Sequence, residues 1–248
     1  MTDLEADWLQ YARRLLHDEA HIRACANAGG SPAHPGVDDT QLRWPGYLGR
    51  DYRDGGVLCV ANVHRDFASG GAGTAVRDGI VDSTRRWKDG DLDDAGYLNA
   101  ARSAYVRGLR AWTVGGRLGN ALEILDAPIE AIAYTNAAKC QFPETEPKIP
   151  KAGAIKTGLI RLCVAQNPLT DLVGLLRPAV VLVTAVNAWD ASGLDGRQGA
   201  VCFHQYYGNL TRPCAVGGEI LPPRTPLAEW AARLRDELDQ PRSSSALP

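Results

Sequence analysis

Four short, mostly apolar segments recur along the chain, at residues 57–61, 129–134, 179–185 and 200–203. Each has the length of a strand, and none shows the regular alternation of apolar and polar residues that marks a strand with one wet face. Near-continuous apolar strands are typical of a parallel sheet that is covered on both faces. The pattern therefore predicts four buried parallel strands.

Between these segments, apolar residues return every three or four positions, which is the spacing of amphipathic helices. The first such stretch opens with Thr2 and Glu5, a pair that forms a capping box at a helix start. The predicted helices span about 3–26, 75–88, 93–112, 117–125, 157–176 with a break at Pro168, and 226–239. Strands that alternate with helices predict an α/β fold, a three-layer α/β/α sandwich around a central four-stranded parallel sheet. We expect one domain over residues 1–242 and a disordered tail over 243–248.

Composition and charge narrow the range of functions. The chain has 248 residues, of which 45% are hydrophobic and 23% charged, a balance typical of globular proteins. Its formal net charge of −2 excludes a strongly basic nucleic-acid binder, so any contact with DNA must use a local basic surface. The acidic start of the chain and the lack of a long apolar run predict a cytoplasmic protein with no membrane partner.

Polar side chains stand at the ends of three predicted strands, namely Asn62, Asn136 and His204. In open parallel sheets, ligands bind in the crevice outside the carboxyl ends of the strands. An asparagine amide offers both a donor and an acceptor to one edge of a ligand, and a nucleobase presents such an edge. If the strands are neighbours, the three side chains share one site. Taken singly, each is equally a hydrogen-bonded polar residue at a strand end.

Four segments carry a resemblance to a known family. The most specific is Tyr134-Thr135-Asn136-Ala137-Ala138-Lys139-Cys140, followed by Phe142-Pro143. It resembles the Thr-Asn-x-x-Lys-Cys-x-Pro-Pro segment of the thermostable iron–sulfur branch of the uracil-DNA glycosylase superfamily. Residues 60–64, 175–183 and 201–204 are similar to that superfamily's first motif, its Leu-x-Pro-Lys-Val-Ile-Val segment and its late histidine motif. The resemblance covers about residues 57–215.

The resemblance implies a monofunctional DNA glycosylase, an enzyme that hydrolyses the bond between a base and deoxyribose and leaves an abasic site. By this resemblance Asn62 positions the water, Asn136 reads the base and His204 stabilises the departing base. A flipped base stacks on an aromatic ring in such enzymes.

Three further residues near Asn62 are assigned to this site. Asp66 is the alternative water activator, because an amide cannot act as a base; a helix cap or a surface carboxylate is its other interpretation. Phe67 is the candidate stacking ring, and core packing is its alternative. His64 adds a polar group to the proposed base pocket.

Residues after the second and the last of these motifs are the expected DNA contacts. They are Lys139, Tyr206, Tyr207, Leu210 and Arg212. Those after His204 have the composition of a loop that inserts into a duplex, where apolar or aromatic wedges fill the gap left by a flipped base. Further candidates for phosphate binding, or alternatively for an ordinary solvated face, are Arg102, Arg107, Arg110, Arg117, Lys148, Lys151 and Lys156.

The six cysteines are widely spaced and form no CxxC pair, which in a reducing compartment favours free thiols or metal ligands over disulfides. The resemblance brings in an iron–sulfur cluster, for which Cys25, Cys140 and Cys163 are the candidate ligands. Ordinary buried thiols are the alternative. Cys59 and Cys202 lie inside predicted strands, so we expect them in the core.

The chain also departs from the family in ways that bear on its substrate. The first motif lacks the family's glycine and proline, and Ala61 stands where the iron–sulfur branch has a glutamate. These changes predict a base other than plain uracil, such as a modified base of foreign or phage DNA, removed in repair or in antiviral defence. Two alternatives remain, a hydrolase or transferase of a free nucleoside or small metabolite, and a non-catalytic nucleic-acid-binding protein. We expect a monomer.

Overall fold

The computed structural model describes residues 1–18, 43–61, 71–113, 118–137, 139, 160–184, 186–204 and 208–239. Its centre is a mixed six-stranded sheet with the order β1-β3-β2-β4-β5-β6. The strands are β1 (Tyr47–Leu48), β2 (Val57–Ala61), β3 (Ile132–Asn136), β4 (Val180–Val183), β5 (Ala200–His204) and β6 (Asn209–Leu210). A separate hairpin consists of β7 (Cys214–Val216) and β8 (Glu219–Leu221).

The four inner strands, β3, β2, β4 and β5, are parallel, whereas β1 and β6 pair antiparallel with the edges. The expected sheet of four parallel strands is therefore wrong as a description of the whole sheet and right for its centre. β1 and β6 escape prediction because two residues are too few to show a periodicity. At β1, Gly46 has a φ of +113°, and a Cβ there would lie 2.3 Å from the Tyr134 carbonyl oxygen. Only glycine lets this edge strand approach β3 so closely.

Helices pack on both faces of the sheet. They are α1 (Asp3–His17), α2 (Gly71–Lys88), α3 (Asp94–Thr113), α4 (Gly119–Ile124), α5 (Leu169–Leu176), α6 (Val186–Ser192) and α7 (Leu227–Asp239). Helices α1, α5 and α6 bury their apolar residues against one face, and α4 and α7 against the other. Helices α2 and α3 pack on each other and contribute to both cores. In the part of the chain that the structure describes, no helix has the length and apolarity needed to cross a membrane.

Side-chain alternation explains why the two cores are distinct. Successive residues of a strand point to opposite faces, so Leu58 and Val60 belong to one core, while Val57 and Cys59 belong to the other. All five residues of β2 are buried, as expected for a strand with both faces covered. Cys59 and Cys202 are buried in the core, as the sequence predicts.

The first helix is shorter than predicted. The expected helix over 3–26 ends at His17, and Asp18 leaves the helical region with φ −78° and ψ 81°. The cause is Arg43, which is 1% exposed and donates to the carbonyls of Leu15 (2.6 Å) and Asp18 (2.5 Å). A guanidinium here satisfies carbonyls that the last turn of a helix leaves without partners.

Candidate functional site

The order of the parallel strands defines where a ligand would bind. In chain order the first parallel strand, β2, lies between the second, β3, and the third, β4, with the fourth, β5, outside β4. In doubly wound sheets of this kind the crevice opens at the carboxyl ends of the first and third strands, where the connections leave in opposite directions. In this protein that point lies between Ala61 and Thr184, whose backbone N–H donates to the Val60 carbonyl at 2.9 Å.

Asn136 and His204 both lie at this carboxyl edge, one strand to either side of the crevice. Asn136 is the last residue of β3 and pairs in register with Ala61 of β2, and His204 is the last residue of β5. Strand β3 runs from Ile132 instead of 129, because Pro128 is followed by a short 3-10 helix, Ile129–Ala131. With strands about 4.8 Å apart, the two backbones are roughly 14 Å from each other. Both side chains can therefore contact one ligand only at different ends of it.

The two side chains start on opposite faces of the sheet. Alternation places Asn136 on the face of Tyr134, and His204 on the face of Cys202. Convergence on one ligand therefore requires each side chain to turn around the edge of the sheet. Asn136 is 0% exposed, whereas His204 is half-buried. A ligand can reach the Asn136 amide only after the residues that cover it have moved.

Asn136 is hydrogen-bonded to one member of a buried group of tyrosines. The Tyr134 hydroxyl donates to Asn136 Oδ1 at 3.3 Å. The Tyr134 ring is tilted against Tyr105 with their centroids 6.4 Å apart, and Tyr105 in turn contacts Tyr47 at 5.8 Å. Burial raises the pKa of Tyr134 well above its usual value, so its hydroxyl stays protonated and remains a donor. This support fixes the orientation of the amide, and the sequence pattern alone does not reveal it.

Lys139 anchors the chain that follows Asn136 and does not bind DNA from the surface. It is 0% exposed, which corrects its assignment as a phosphate contact. Its Nζ donates to Thr135 Oγ1, its backbone N–H donates to Cys163 Sγ at 3.2 Å, and its carbonyl accepts from the Trp44 backbone N–H at 2.9 Å. Burial lowers the pKa of Lys139 to about 8. Three contacts thus hold this residue, and with it the end of β3.

Leu210, an assigned DNA contact, and Arg102, a further candidate for phosphate binding, also have structural roles. Leu210 is 2% exposed and pairs with Phe203 across β5 and β6, so it is a core residue and not an inserting wedge. Arg102 donates to the Leu48 carbonyl at 2.9 Å and forms an ion pair with Glu5 at 2.7 Å. Both arrangements depend on tertiary contacts that the local sequence does not encode.

Arg212 is the assigned DNA contact that lies partly exposed. It forms a two-pronged ion pair with Asp190, at 3.1 and 3.0 Å, and this pairing raises the pKa of Arg212. A DNA phosphate would have to compete with Asp190 for this guanidinium. Three assigned groups lie outside the described residues: Asn62, His64, Asp66 and Phe67 of the first motif, Tyr206 and Tyr207 after His204, and the candidate ligands Cys25 and Cys140.

Cys163 is the candidate cluster ligand that the structure describes. Its side chain is buried, and its Sγ accepts the Lys139 backbone N–H. Among the described residues, no group of three or more His, Cys, Asp or Glu side chains is arranged to hold a metal. An N–H···S bond suits a buried thiol as well as a cluster thiolate, so this contact does not distinguish between them. We assign no chemical step to a cluster.

The structure adds residues that the sequence pattern misses. Beside His204, a depression of about 390 Å³ is lined also by Asn209, Leu210, Thr211, Pro223 and Arg224. Arg224 is one of three non-glycine residues with positive φ in the described chain, at +76°. No local sequence signal marks this arginine.

Comparison of the chain with family models, with curated proteins and with solved structures found no match.

Proposed function

We propose that the protein is a DNA glycosylase, which hydrolyses the bond between a damaged or modified base and deoxyribose and leaves an abasic site. The observation that carries the proposal is the pair of polar strand ends, Asn136 and His204, on either side of the crevice between β2 and β4. The resemblance of residues 134–140 to the iron–sulfur branch of the uracil-DNA glycosylase superfamily supports the same conclusion. We place the activity in the cytoplasm, carried out by a monomer.

In the proposed reaction the bond between C1′ and the base nitrogen breaks, so negative charge develops on the departing base and positive charge on the sugar. The oxygen of a water molecule bonds to C1′, and the proton that the water loses ends on the released base. His204 donates a hydrogen bond to an oxygen of the departing base, which stabilises the transition state more than the substrate. Asn136, held by Tyr134, contacts the pairing edge of the flipped base and selects it. The water-positioning role stays with Asn62 or Asp66 as a hypothesis from the sequence.

The proposal is tested by abasic-site formation on duplexes that carry uracil, hypoxanthine or modified cytosines. Loss of the donor in His204→Ala should reduce kcat on the preferred base by about 10²–10³-fold. Asn136→Ala should reduce kcat/KM for the preferred base and make the kcat/KM values for different bases more alike. His17→Ala and Asn120→Ala remove exposed residues of the same types and should leave activity unchanged. Absence of base release from every duplex would contradict the proposal.

A hydrolase of a free nucleoside is the second candidate, favoured by the formal net charge of −2. A protein without excess positive charge attracts DNA weakly, whereas a neutral nucleoside needs no such attraction. Release of base from nucleosides at rates insensitive to salt, with none from duplexes, would favour this candidate.

A further inference from the structure

The depression beside His204 lies between the end of β5, strand β6 and the turn of residues 222–226 that precedes α7. Two backbone bonds tie the turn to β6: the N–H of Arg224 donates to the Leu210 carbonyl, and the N–H of Leu210 donates to the Thr225 carbonyl, both at 2.8 Å. The first residue of α7, Leu227, donates to the Gly208 carbonyl at 2.7 Å. The turn is therefore fixed against the edge of the sheet that carries His204.

Arg224 is held in a conformation that arginine rarely adopts. Its φ of +76° lies in the left-handed region, and Thr225 after it is fixed by the bond to Leu210 and by its own hydroxyl, which donates to the Pro222 carbonyl at 2.8 Å. Strained non-glycine residues persist where surrounding structure imposes them, and they are concentrated at binding and catalytic sites. Glycine would adopt this φ without strain, so the turn itself does not require an arginine. The presence of the arginine side chain at this position therefore needs a reason other than the geometry of the turn.

The Arg224 guanidinium differs from those of two other arginines in its ion pairing. Arg212 is paired with Asp190, and Arg177, another arginine with positive φ, is paired with Asp54 at 2.7 Å. Within the described residues, Arg224 is exposed and forms no ion pair. It lines the same depression as His204, the residue proposed to contact the departing base.

We propose that Arg224 forms a subsite for a phosphate group of the DNA strand next to the flipped nucleotide, in the depression that His204 also lines. The planar guanidinium fork matches two phosphate oxygens. The Thr211 hydroxyl forms a wall of the subsite and does not donate to the phosphate, because it faces two acceptors on Cys202, the Sγ at 2.9 Å and the carbonyl oxygen at 3.2 Å. The choice of a DNA phosphate rests on the proposed function, whereas the phosphate chemistry rests on the Arg224 guanidinium in the depression.

The test measures binding of a fluorescent single-stranded oligonucleotide of unmodified bases over a range of salt concentrations. Arg224→Gly removes the guanidinium and keeps a residue suited to positive φ, so the variant should fold. We expect about tenfold weaker binding and a salt slope reduced by about 0.7, as for one lost phosphate contact on a single strand. Arg224→Lys should recover part of the affinity through its charge.

Arg177→Gly is the matched control. It changes the same residue type at a positive φ, but it lies at the end of α5, at the amino edge of the sheet, where its carbonyl accepts from the Gly55 backbone N–H at 3.0 Å. This variant should bind the oligonucleotide as the wild type does. Equal binding by Arg224→Gly and the wild type, or equal losses in both glycine variants, would overturn the subsite.

Inorganic phosphate and a nucleoside monophosphate separate the two sources of phosphate. If DNA supplies it, the oligonucleotide should bind far more tightly than either small anion, and both should compete weakly. Tight binding of the monophosphate with no gain from the oligonucleotide would overturn the DNA assignment. An Arg224-dependent oligonucleotide affinity without base release from any duplex would sustain the subsite and contradict the glycosylase.

Discussion

Lys139 is the residue whose chemistry changes most between the sequence and the folded protein. In the sequence it is a basic residue of a loop, but the fold encloses it completely and gives its amine Thr135 as a partner. A charged amine that loses its water without gaining a carboxylate is costly, and its pKa falls in consequence. Here burial lowers the pKa of Lys139 to about 8 from 10.5. The residue that holds the end of β3 is therefore also one that destabilises the fold at neutral pH.

The pH dependence of stability tests this account. Between about pH 8 and 10.5 the unfolded chain keeps the proton that folded Lys139 has lost, so the unfolded state binds more protons and the free energy of unfolding contributed by this residue rises with pH. The rise should be on the order of 3 kcal/mol in total, at 1.36 kcal/mol per pKa unit. Below about pH 8 both states are protonated and the contribution is flat.

The measurement is urea unfolding of the wild type and Lys139→Met across this pH range. Comparison with the variant cancels the ionisation of tyrosines and cysteines, which is common to both proteins. The difference in stability should grow in favour of the wild type as pH rises. Lys88→Met, at the exposed end of α2, should show no such trend. A constant difference between wild type and Lys139→Met would mean that Lys139 remains protonated in the folded state.

At the scale of elements, a glycine determines how β4 and β5 come together. Gly199 has a φ of +75°, and a Cβ there would lie 2.0 Å from the Ala179 carbonyl oxygen. Gly196 has the same φ, yet a Cβ added there would meet no atom within 4 Å. Alanine at position 196 therefore tests backbone strain alone, whereas alanine at position 199 tests strain together with the close approach of the backbone.

Alanine at each position should give different losses of stability. Gly196→Ala incurs only left-handed strain, about 1–2 kcal/mol. Gly199→Ala adds a steric clash with backbone that cannot rotate away, at a further cost of about 1–3 kcal/mol. For a chain of this size each kcal/mol lowers Tm by roughly 2–4 °C. Thermal unfolding of both variants checks the order, and equal losses would show that β4 and β5 can separate locally without penalty.

Elements with strong local patterns are the ones the sequence predicts. Strand β2 is correct to the residue, because five consecutive buried positions leave an unbroken apolar run. α1 is predicted too long because its end depends on Arg43, which is 25 residues away from Asp18 in the chain. The hairpin β7–β8 and helix α6 escape prediction because each is short.

The candidate site likewise has one part that the sequence predicts and another part that it does not. Strand ends are visible in the sequence, so Asn136 and His204 are correctly expected at the carboxyl edge. The faces on which they start depend on register, and the burial of Lys139 and Leu210 depends on what packs over them. Arg224 contributes to the site through a turn that only the fold brings beside His204. Local pattern thus identifies the edge, and tertiary structure determines which residues line it.

At the scale of the whole molecule, charge limits how the protein can bind DNA. Its formal net charge is −2, and several described arginines are already paired with carboxylates. These pairs are Arg13–Asp94, Arg102–Glu5, Arg110–Glu130, Arg177–Asp54 and Arg212–Asp190. The charge of these five guanidinium groups is partly neutralised before any phosphate approaches. For the proposed glycosylase, we therefore expect affinity for DNA to come from a small number of contacts around the crevice.

The small number of expected phosphate contacts predicts how the proposed DNA binding should depend on salt. Each phosphate contact contributes about 0.9 to the slope of log K against log salt concentration on duplex DNA. Two or three contacts predict a slope of about −2 to −3, far from the value near −10 of a protein with many phosphate contacts. Fluorescence anisotropy with a labelled duplex measures the slope directly. A steep slope would show more phosphate contacts than this prediction allows, whereas a slope of zero would favour a free nucleoside as the substrate, because a neutral ligand releases no counterions.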